Sequence, residues 1–170
     1  MSMEPTGLAD SYPATVFAIT SLADEIRADR ACHELLKRFA VDLATGGLDP
    51  GEAGALAHGA DYFLREFLIG ERRENLLQLP PGRIRQFAGN WYIIRNLEPN
   101  LAELCKILEG LVAFYRYLAE QGLVSAAMAD QVLAESADLP WFQARIDAFW
   151  AITGDGYQAW VQGCPLADPN

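Results

Sequence analysis

Two consecutive helical patterns, over residues 83–97 and 99–121, constrain the fold of this chain more than any other feature. Both patterns are rich in aromatic residues, and they meet at Glu98-Pro99, where proline ends one helix and allows the next to begin. In the second pattern apolar residues recur every three or four positions from Leu101 to Leu118, which is the periodicity of an amphipathic α-helix. Adjacent helices of this kind predict an all-α domain.

Capping and breaking residues divide the rest of the sequence into further helices. A serine or aspartate side chain favours a helix start because its oxygen can accept a hydrogen bond from an exposed backbone N–H group. Gly46-Gly47 and Pro80-Pro81-Gly82 predict breaks, and apolar spacing predicts a buried stripe on the first helix that includes Leu22 and Ile26. The sequence predicts a single compact bundle of about six helices. The predicted helix starts lie at Thr20 or Ser21, Asp49, Arg83, Pro99, Ser125 and Asp138.

Three regions are expected along the chain. Residues 1–19 lack helical periodicity and predict an irregular leader, and residues 20–153 predict the helical domain. Residues 154–170 predict a C-terminal tail that docks on the domain, because Tyr157 and Trp160 would otherwise expose aromatic surface. With 170 residues, of which 51% are hydrophobic, the chain predicts one domain with one core.

Composition narrows the functional classes. A formal net charge of -10 opposes long-range attraction to nucleic acid and to anionic membranes. No stretch reaches the roughly 20 apolar residues that a membrane span requires, and the N-terminal sequence lacks the pattern of a signal peptide. Three scattered cysteines do not form a disulfide framework and favour a reducing compartment. We therefore expect a cytoplasmic protein that does not act at a membrane.

The charge distribution is uneven. Residues 65–95 contain six arginines and three glutamates, in a chain that is otherwise strongly acidic. This cationic segment could bind an acidic protein surface or a phosphate, with two aromatic residues contributing contacts or stacking on bases. The alternative is that the arginines pair internally with the surplus carboxylates. The candidate partner-binding residues are Arg72, Arg73, Arg83, Arg85, Arg95, Trp91 and Tyr92.

The second predicted helix contains the densest set of polar residues, at His58, Asp61, Tyr62, Arg65 and Glu66. Residues three or four positions apart share a helix face, so a carboxylate could orient His58 as a general base beside a polar pocket. The alternative is a solvated face with an ion pair between Asp61 and Arg65. The candidate pocket residues are His58, Asp61, Tyr62 and Arg65.

Sequence motifs for catalysis and cofactor binding fail on spacing. His33-Glu34 lacks the second histidine of a zinc protease helix, and neither histidine follows a Glu-x-x-His pattern. The glycines of residues 154–159 follow a helical pattern, whereas a dinucleotide fingerprint follows a strand. We therefore predict no metal site, no cofactor and no catalytic residue.

Two stretches resemble known proteins. Residues 87–124 look like a helix pair found in a group of uncharacterised small bacterial all-α proteins, and this resemblance implies a helical fold without a mechanism. Residues 111–122 are similar to the helical core-binding domain of tyrosine recombinases, which clamps DNA, and this similarity implies a like manner of helix packing. The residues that support the first resemblance are Trp91, Tyr92, Ile93, Arg95, Phe114, Tyr115, Glu120 and Gly122.

The most favoured functional class is a non-enzymatic protein-interaction or regulatory module whose partner is an unknown protein. One alternative is nucleic-acid binding through the arginines of residues 65–95. A second alternative is a small-molecule-binding protein or enzyme with a pocket near His58. Aromatic residues near the C-terminus also make a homodimer a reasonable expectation.

Overall fold

The computed structural model describes residues 7–168, and within that range the chain forms helices and turns without a strand. The prediction of an all-α bundle is confirmed. Residues 1–6 of the expected leader and residues 169–170 of the expected tail lie outside the described range. The α-helices are α1 (Leu8–Ser11), α2 (Leu22–Thr45), α3 (Pro50–Asp61), α4 (Arg83–Gln86), α5 (Tyr92–Arg95), α6 (Leu101–Glu120), α7 (Ala126–Ser136), α8 (Leu139–Trp150) and α9 (Tyr157–Gln162).

Two π-helical segments lengthen these helices. The first, Tyr62–Glu71, continues α3 without a break, and the second, Phe87–Trp91, joins α4 to α5. Short 3-10 turns occur at Ala14–Phe17 and Leu76–Gln78. The described chain therefore contains six longer helical rods, namely α2, α3 with its continuation, α4 to α5, α6, α7 and α8, which is the number expected from the sequence.

Side-chain caps explain where four of the rods begin. Ser21 and Asp49 each accept a hydrogen bond from a backbone N–H three residues further on, at 3.1 Å, and Ser125 does the same at 3.1 Å. Helix α6 begins at Leu101, two residues after the predicted Pro99, because Asn100 accepts the capping bond from the Glu103 amide at 2.8 Å. Local capping chemistry therefore sets these boundaries.

The centre of the bundle is built where α3 crosses α6. A β-carbon on Gly59 would lie 2.8 Å from the carbonyl oxygen of Lys106, and one on Gly110 would overlap the carbonyl oxygen of Leu56. Because glycine lacks a β-carbon, the two backbones approach closely at this crossing. The ring pair Phe39 and Phe114, with centroids 5.4 Å apart, then packs α2 onto α6.

The predicted stripe on α2 is wrong at its N-terminal end. Leu22 is 66% exposed and Ile26 is 54% exposed, and full burial along α2 begins only at Ala28. Leu22 and Ile26 are four positions apart and share a face with each other, but at about 100° per residue Ile26 points roughly opposite to Leu35, which is buried. The prediction therefore assigns these two residues to the wrong face of the helix.

The two ends of the described chain both contact the core. Within residues 7–19, which were expected to be irregular, α1 and a 3-10 turn form and Phe17 is fully buried. Within residues 154–168, α9 forms and its Trp160 is buried. Trp160 Nε1 donates a hydrogen bond to the carbonyl oxygen of Arg145 on α8 at 3.0 Å.

Candidate functional site

A cleft of about 670 Å³ lies between α3 and α6, beside their close crossing. Its walls are mainly apolar, with polar groups placed along the rim. Leu56 and Ile107 supply apolar surface from the two helices, and Gly59 forms part of the floor. The complete lining consists of Leu48, Glu52, Ala55, Leu56, His58, Gly59, Tyr62, Asn96, Glu103, Lys106, Ile107 and Glu109.

Helical periodicity explains why these residues face one another. On α3 and its continuation the lining residues Glu52, Ala55, Gly59 and Tyr62 are separated by three or four positions, so they share one face. Lining residues of α6 follow a similar spacing. Because Ala55 and Gly59 have little or no side chain, the space above them stays open while the flanking backbones remain close.

Tyr62 and Asn96 form a hydrogen-bonded pair at one end of this cleft. Asn96 Nδ2 donates to the Tyr62 hydroxyl oxygen at 3.0 Å and to the Tyr92 carbonyl oxygen at 2.7 Å. Burial raises the pKa of Tyr62, although the hydrogen bond from Asn96 opposes that shift. The hydroxyl is therefore protonated at neutral pH, and its hydrogen can be donated to a molecule in the cleft.

The charges around the cleft are predominantly negative. Glu52, Glu103 and Glu109 contribute three carboxylates, whereas Lys106 contributes one ammonium group. Within residues 7–168, none of these four side chains has an oppositely charged group within 4.0 Å. Their charges are consequently directed at solvent and at whatever occupies the cleft.

A separate polar cluster lies on the other side of α3. Arg65 pairs with both carboxylate oxygens of Asp29 on α2, at 2.9 and 3.1 Å, and with Asp61 at 3.1 Å. These hydrogen bonds, with that to Asp29 first, raise the pKa of Arg65. His33 Nδ1 lies 3.4 Å from Arg65 Nη1, and His58 lines the adjoining shallow surface. The cluster fixes α3 to α2.

The four predicted pocket residues thus divide between two environments. Tyr62 faces the α3/α6 cleft, Asp61 and Arg65 face α2, and His58 lies between the two surfaces. Asp61 bonds to Arg65, so it does not orient His58 in the manner of a general-base pair. The sequence did not indicate several residues of these surfaces, because they lie on segments distant from α3 in the chain. They are Asp29, His33, Asn96, Glu103, Lys106 and Glu109.

The cationic segment pairs internally. Arg83 is 7% exposed and bonds to Glu74 at 2.7 and 3.0 Å and to Asp168 at 2.7 and 3.0 Å. Arg72 contacts the same two carboxylates, at 3.0 Å and 3.2 Å. Glu74 lies within the basic segment, whereas Asp168 comes from the far end of the chain, so folding adds a distant negative charge to the local one.

The other three candidate arginines also have carboxylate neighbours. Arg73 pairs with Glu25 at 2.8 Å, Arg95 lies 3.4 Å from a Glu71 oxygen, and Arg85 lies 3.9 Å from an Asp138 oxygen. Arg85 also stacks on Trp141, with its guanidinium carbon 3.5 Å from the ring centroid. These positions support the alternative of internal pairing for the basic segment.

The two aromatic candidates lie in the core. Trp91 is 5% exposed and Tyr92 is fully buried, and Trp91 packs against Phe67 and Phe87 with ring centroids 5.5 and 5.7 Å away. The Tyr92 hydroxyl accepts a hydrogen bond from the Asn100 amide at 3.2 Å. A base could stack on either ring only after the surrounding helices separated. A phosphate would likewise have to displace carboxylates from Arg72 and Arg83.

Neither a metal-binding cluster nor a membrane-spanning helix occurs in residues 7–168. No group of three or more histidine, cysteine, aspartate or glutamate side chains is arranged to hold a metal ion in that range. Cys32, Cys105 and Cys164 have free thiols, and burial raises the pKa of each. No helix in the described part of the chain is both long enough and apolar enough to cross a bilayer.

Comparison with known proteins found no matching protein-family model, no matching curated protein and no matching solved structure. The resemblances to small bacterial proteins and to the core-binding domain of tyrosine recombinases therefore stay predictions. Functional inference for this chain depends on the geometry of its own surfaces.

Proposed function

We propose that this protein binds a small organic molecule in the cleft between α3 and α6. The observation that supports the proposal is a cleft of about 670 Å³ with apolar walls and a few polar groups around its rim. Small-molecule sites in proteins commonly have this size and this division of polar and apolar lining. The site also includes two of the four pocket residues indicated by the sequence, His58 and Tyr62.

The lining indicates the chemical class of the ligand. Apolar surface from Leu56 and Ile107 favours a ligand with a hydrophobic body. The carboxylates of Glu52, Glu103 and Glu109 outnumber the one ammonium group of Lys106, so the rim attracts a positively charged substituent. The Tyr62 hydroxyl can donate to an acceptor atom of the ligand. We therefore expect an amphipathic amine.

Three probes of similar size separate the contributions of shape and charge. We would titrate 2-phenylethylamine, 2-phenylethanol and 3-phenylpropionate into isotopically labelled protein and record the amide NMR resonances. The proposal predicts that the amine causes the largest shifts, and that these shifts concentrate at residues such as Tyr62, Asn96 and Ile107. The alcohol should bind more weakly than the amine, and the carboxylate should bind most weakly. The three probes have similar shapes, so charge is the main difference between them.

A pair of matched variants locates the binding. Ala55 is exposed and lines the cleft, so Ala55→Trp would fill the space without replacing a core residue. Ala134→Trp makes the same change at an exposed position of α7 outside this cleft. We expect Ala55→Trp to abolish the amine-induced shifts and Ala134→Trp to retain them. Equal binding by both variants, or shifts centred elsewhere, would reject the cleft as the binding site.

A further inference from the structure

A second surface of the molecule, on α4 and the π-helical segment that follows it, holds a short stretch of the chain's own C-terminal region. This stretch, residues 164–168, follows α9 and is not helical. It is held chiefly through its main-chain carbonyl oxygens, which any peptide could present, and through one carboxylate, which requires an acidic residue. We call the surface the tail groove. The side chains that form it are Arg72, Arg83, Gln86 and Asn90.

Three consecutive carbonyl oxygens of the tail accept hydrogen bonds from the groove. Asn90 Nδ2 donates to the Cys164 oxygen at 2.7 Å, and Gln86 Nε2 donates to the Pro165 oxygen at 3.4 Å. Arg72 Nη1 donates to the Leu166 oxygen. Because Arg83, Gln86 and Asn90 are separated by three and four positions, they present their donors along one helical face.

A two-arginine clamp holds the end of the stretch. Both oxygens of Asp168 accept hydrogen bonds from Arg83, at 2.7 and 3.0 Å, and both lie 3.2 Å from Arg72 Nη2. The Glu74 carboxylate also accepts hydrogen bonds from both arginines. Because these bonds do not involve the tail, the guanidinium groups keep their orientation when the tail is released. The clamp is therefore a preorganised receptor for a carboxylate.

The tail residues alternate between contact and exposure. Cys164 is buried and Leu166 is half-buried against the core, whereas Pro165 and Ala167 are exposed. The Cys164 sulfur is buried close to Gly89 and lies 3.4 Å from the Arg85 carbonyl oxygen, so the first contact position favours a small side chain. The groove consequently favours a small residue, an apolar residue two positions later, and an acidic residue two positions after that.

We infer that the tail groove is a peptide-binding site whose occupant, in exchange with residues 164–168, is a short acidic segment of a partner protein with this spacing. The side chain of Asp168 is 54% exposed, and Pro165 and Ala167 are also exposed to solvent. The last contacts can therefore open while Trp160 keeps α9 docked. This inference is independent of the α3/α6 cleft and its ligand.

A partner segment has to compete with the chain's own tail for the groove. A tethered segment acts at an effective concentration of roughly millimolar, so a competing peptide binds the intact chain weakly. Asp168→Asn removes the charge that the two arginines hold and should shift the tail toward its released state. The same change in a competing peptide should weaken the binding of that peptide.

The test uses the full chain and a fluorescently labelled peptide with the sequence of residues 163–170, and it follows binding by anisotropy in reducing buffer. We expect the Asp168→Asn chain to bind this peptide at least tenfold more tightly than the wild-type chain does. A peptide carrying Asp168→Asn should bind at least tenfold more weakly to the same chain. A second release variant, Leu166→Asp with Asp168→Asn, covers the case in which the tail of the single variant stays docked. Circular dichroism checks that each chain is folded.

Three results would overturn the inference. The first is that neither release variant binds the peptide more tightly than the wild-type chain does. The second is equal binding of the acidic and the Asp168→Asn peptide, because the clamp would then not recognise the carboxylate. The third is a dimer of exchanged tails, detected by light scattering of the release variants or the wild type, because a second copy would then be the occupant.

Discussion

Gly110 of α6 lies directly against the carbonyl oxygen of Leu56 in α3, so closely that a β-carbon on residue 110 would overlap that oxygen. The partner glycine of this crossing, Gly59, lies against the carbonyl oxygen of Lys106 in the same way. Both contacts involve backbone atoms, which cannot move aside as a flexible side chain can. The spacing of α3 and α6, and hence the width of the cleft between them, depends on these two glycines.

Gly110→Ala should therefore force the two helices apart. We expect a loss of about 1–3 kcal/mol in the free energy of unfolding, which is the usual cost of overpacking a core. The displacement should also weaken binding of the amine probe to the cleft. Urea unfolding followed by circular dichroism would measure the first effect, and the NMR titration described above would measure the second.

Gly54→Ala is the matched control for this change. Gly54 lies in the interior of α3, is exposed, and has no neighbouring atom within 4 Å of the position where a β-carbon would be placed. Alanine is the better helix former by roughly 0.5–1 kcal/mol, so this variant should be slightly more stable than the wild type. A loss at residue 54 as large as that at residue 110 would show that helix crossing is not the cause.

The predictable part of this fold is the part that depends on neighbouring residues. Ser21, Asp49 and Ser125 cap their helices because each oxygen lies beside an amide only three residues away. Burial depends on more than neighbouring residues, so it is harder to predict from the sequence. Leu22 and Ile26 are apolar and four positions apart, yet they are exposed, because the face of α2 that packs on the core is the one that carries Ala28 and Leu35.

Helical spacing predicted the pair between Asp61 and Arg65, which lie 3.1 Å apart, but most other contacts of the candidate sites join residues distant in the chain. Arg65 is neutralised by Asp29, which lies 36 residues earlier, and Arg83 is neutralised by Asp168, which lies 85 residues later. No spacing rule connects residues at such separations. The sequence indicated His58 and Tyr62 as polar candidates near a pocket, but the cleft itself required Glu103 and Lys106 to be placed opposite them.

Tyr115→Phe should destabilise the core by removing one hydrogen-bond donor. Tyr115 is fully buried, and its hydroxyl donates to the carbonyl oxygen of Leu76 at 2.6 Å. Phenylalanine would leave that carbonyl without its partner, at a cost of about 1–3 kcal/mol. Tyr157→Phe, at a side chain that is 42% exposed, should change stability by less than about 0.5 kcal/mol. Chemical unfolding of both variants would decide the comparison, and equal losses would contradict the assigned role of the buried bond.

Buried tyrosines also predict sensitivity to alkaline pH. Burial raises the pKa of Tyr115, and burial followed by the hydrogen bond to Asp42 raises the pKa of Tyr117. Both hydroxyl groups ionise near the ordinary tyrosine pKa of 10.0 when the chain unfolds. The stability contributed by their neutral forms is therefore complete below pH 10 and is lost as the pH rises above that value. Unfolding midpoints should fall above pH 10, and Tyr115→Phe should flatten that fall; parallel curves for the two chains would contradict the prediction for Tyr115.

Asp24 predicts a separate loss of stability in acid. Its carboxylate accepts hydrogen bonds from the Thr20 backbone amide at 3.0 Å and from the Thr20 hydroxyl at 2.8 Å. These bonds, with that from the backbone first, lower the pKa of Asp24 from 3.8 to about 2. The stability contributed by the charged form is present above pH 3.8 and is lost as the pH falls through about 2.

Asp24→Asn should consequently lower the melting temperature at pH 7 and have little effect near pH 2. Asp155→Asn, at an exposed residue without an ion pair in the described part of the chain, should leave the melting temperature unchanged at both values. Thermal unfolding of the three proteins at pH 7 and pH 2 would measure these differences. A deficit in Asp24→Asn that stays constant between the two pH values would show that the carboxylate charge is not responsible.

Arg83→Gln should cost far more stability than Arg95→Gln, although both arginines belong to the same basic segment of the sequence. Arg83 is 7% exposed and joins Glu74 to Asp168, so its removal takes four hydrogen bonds from these carboxylates, leaves Arg72 as the arginine that still pairs with them, and should cost about 2–4 kcal/mol. Arg95 and Glu71 are both about half-exposed and 3.4 Å apart, a geometry worth less than about 1 kcal/mol. Urea unfolding would measure both losses, and similar values would mean that Arg83 contributes no more than a surface ion pair.

The expected difference also affects any search for nucleic-acid binding by arginine replacement. Arg95→Gln can test phosphate contact in a folded chain, whereas Arg83→Gln would report unfolding as well as lost contact.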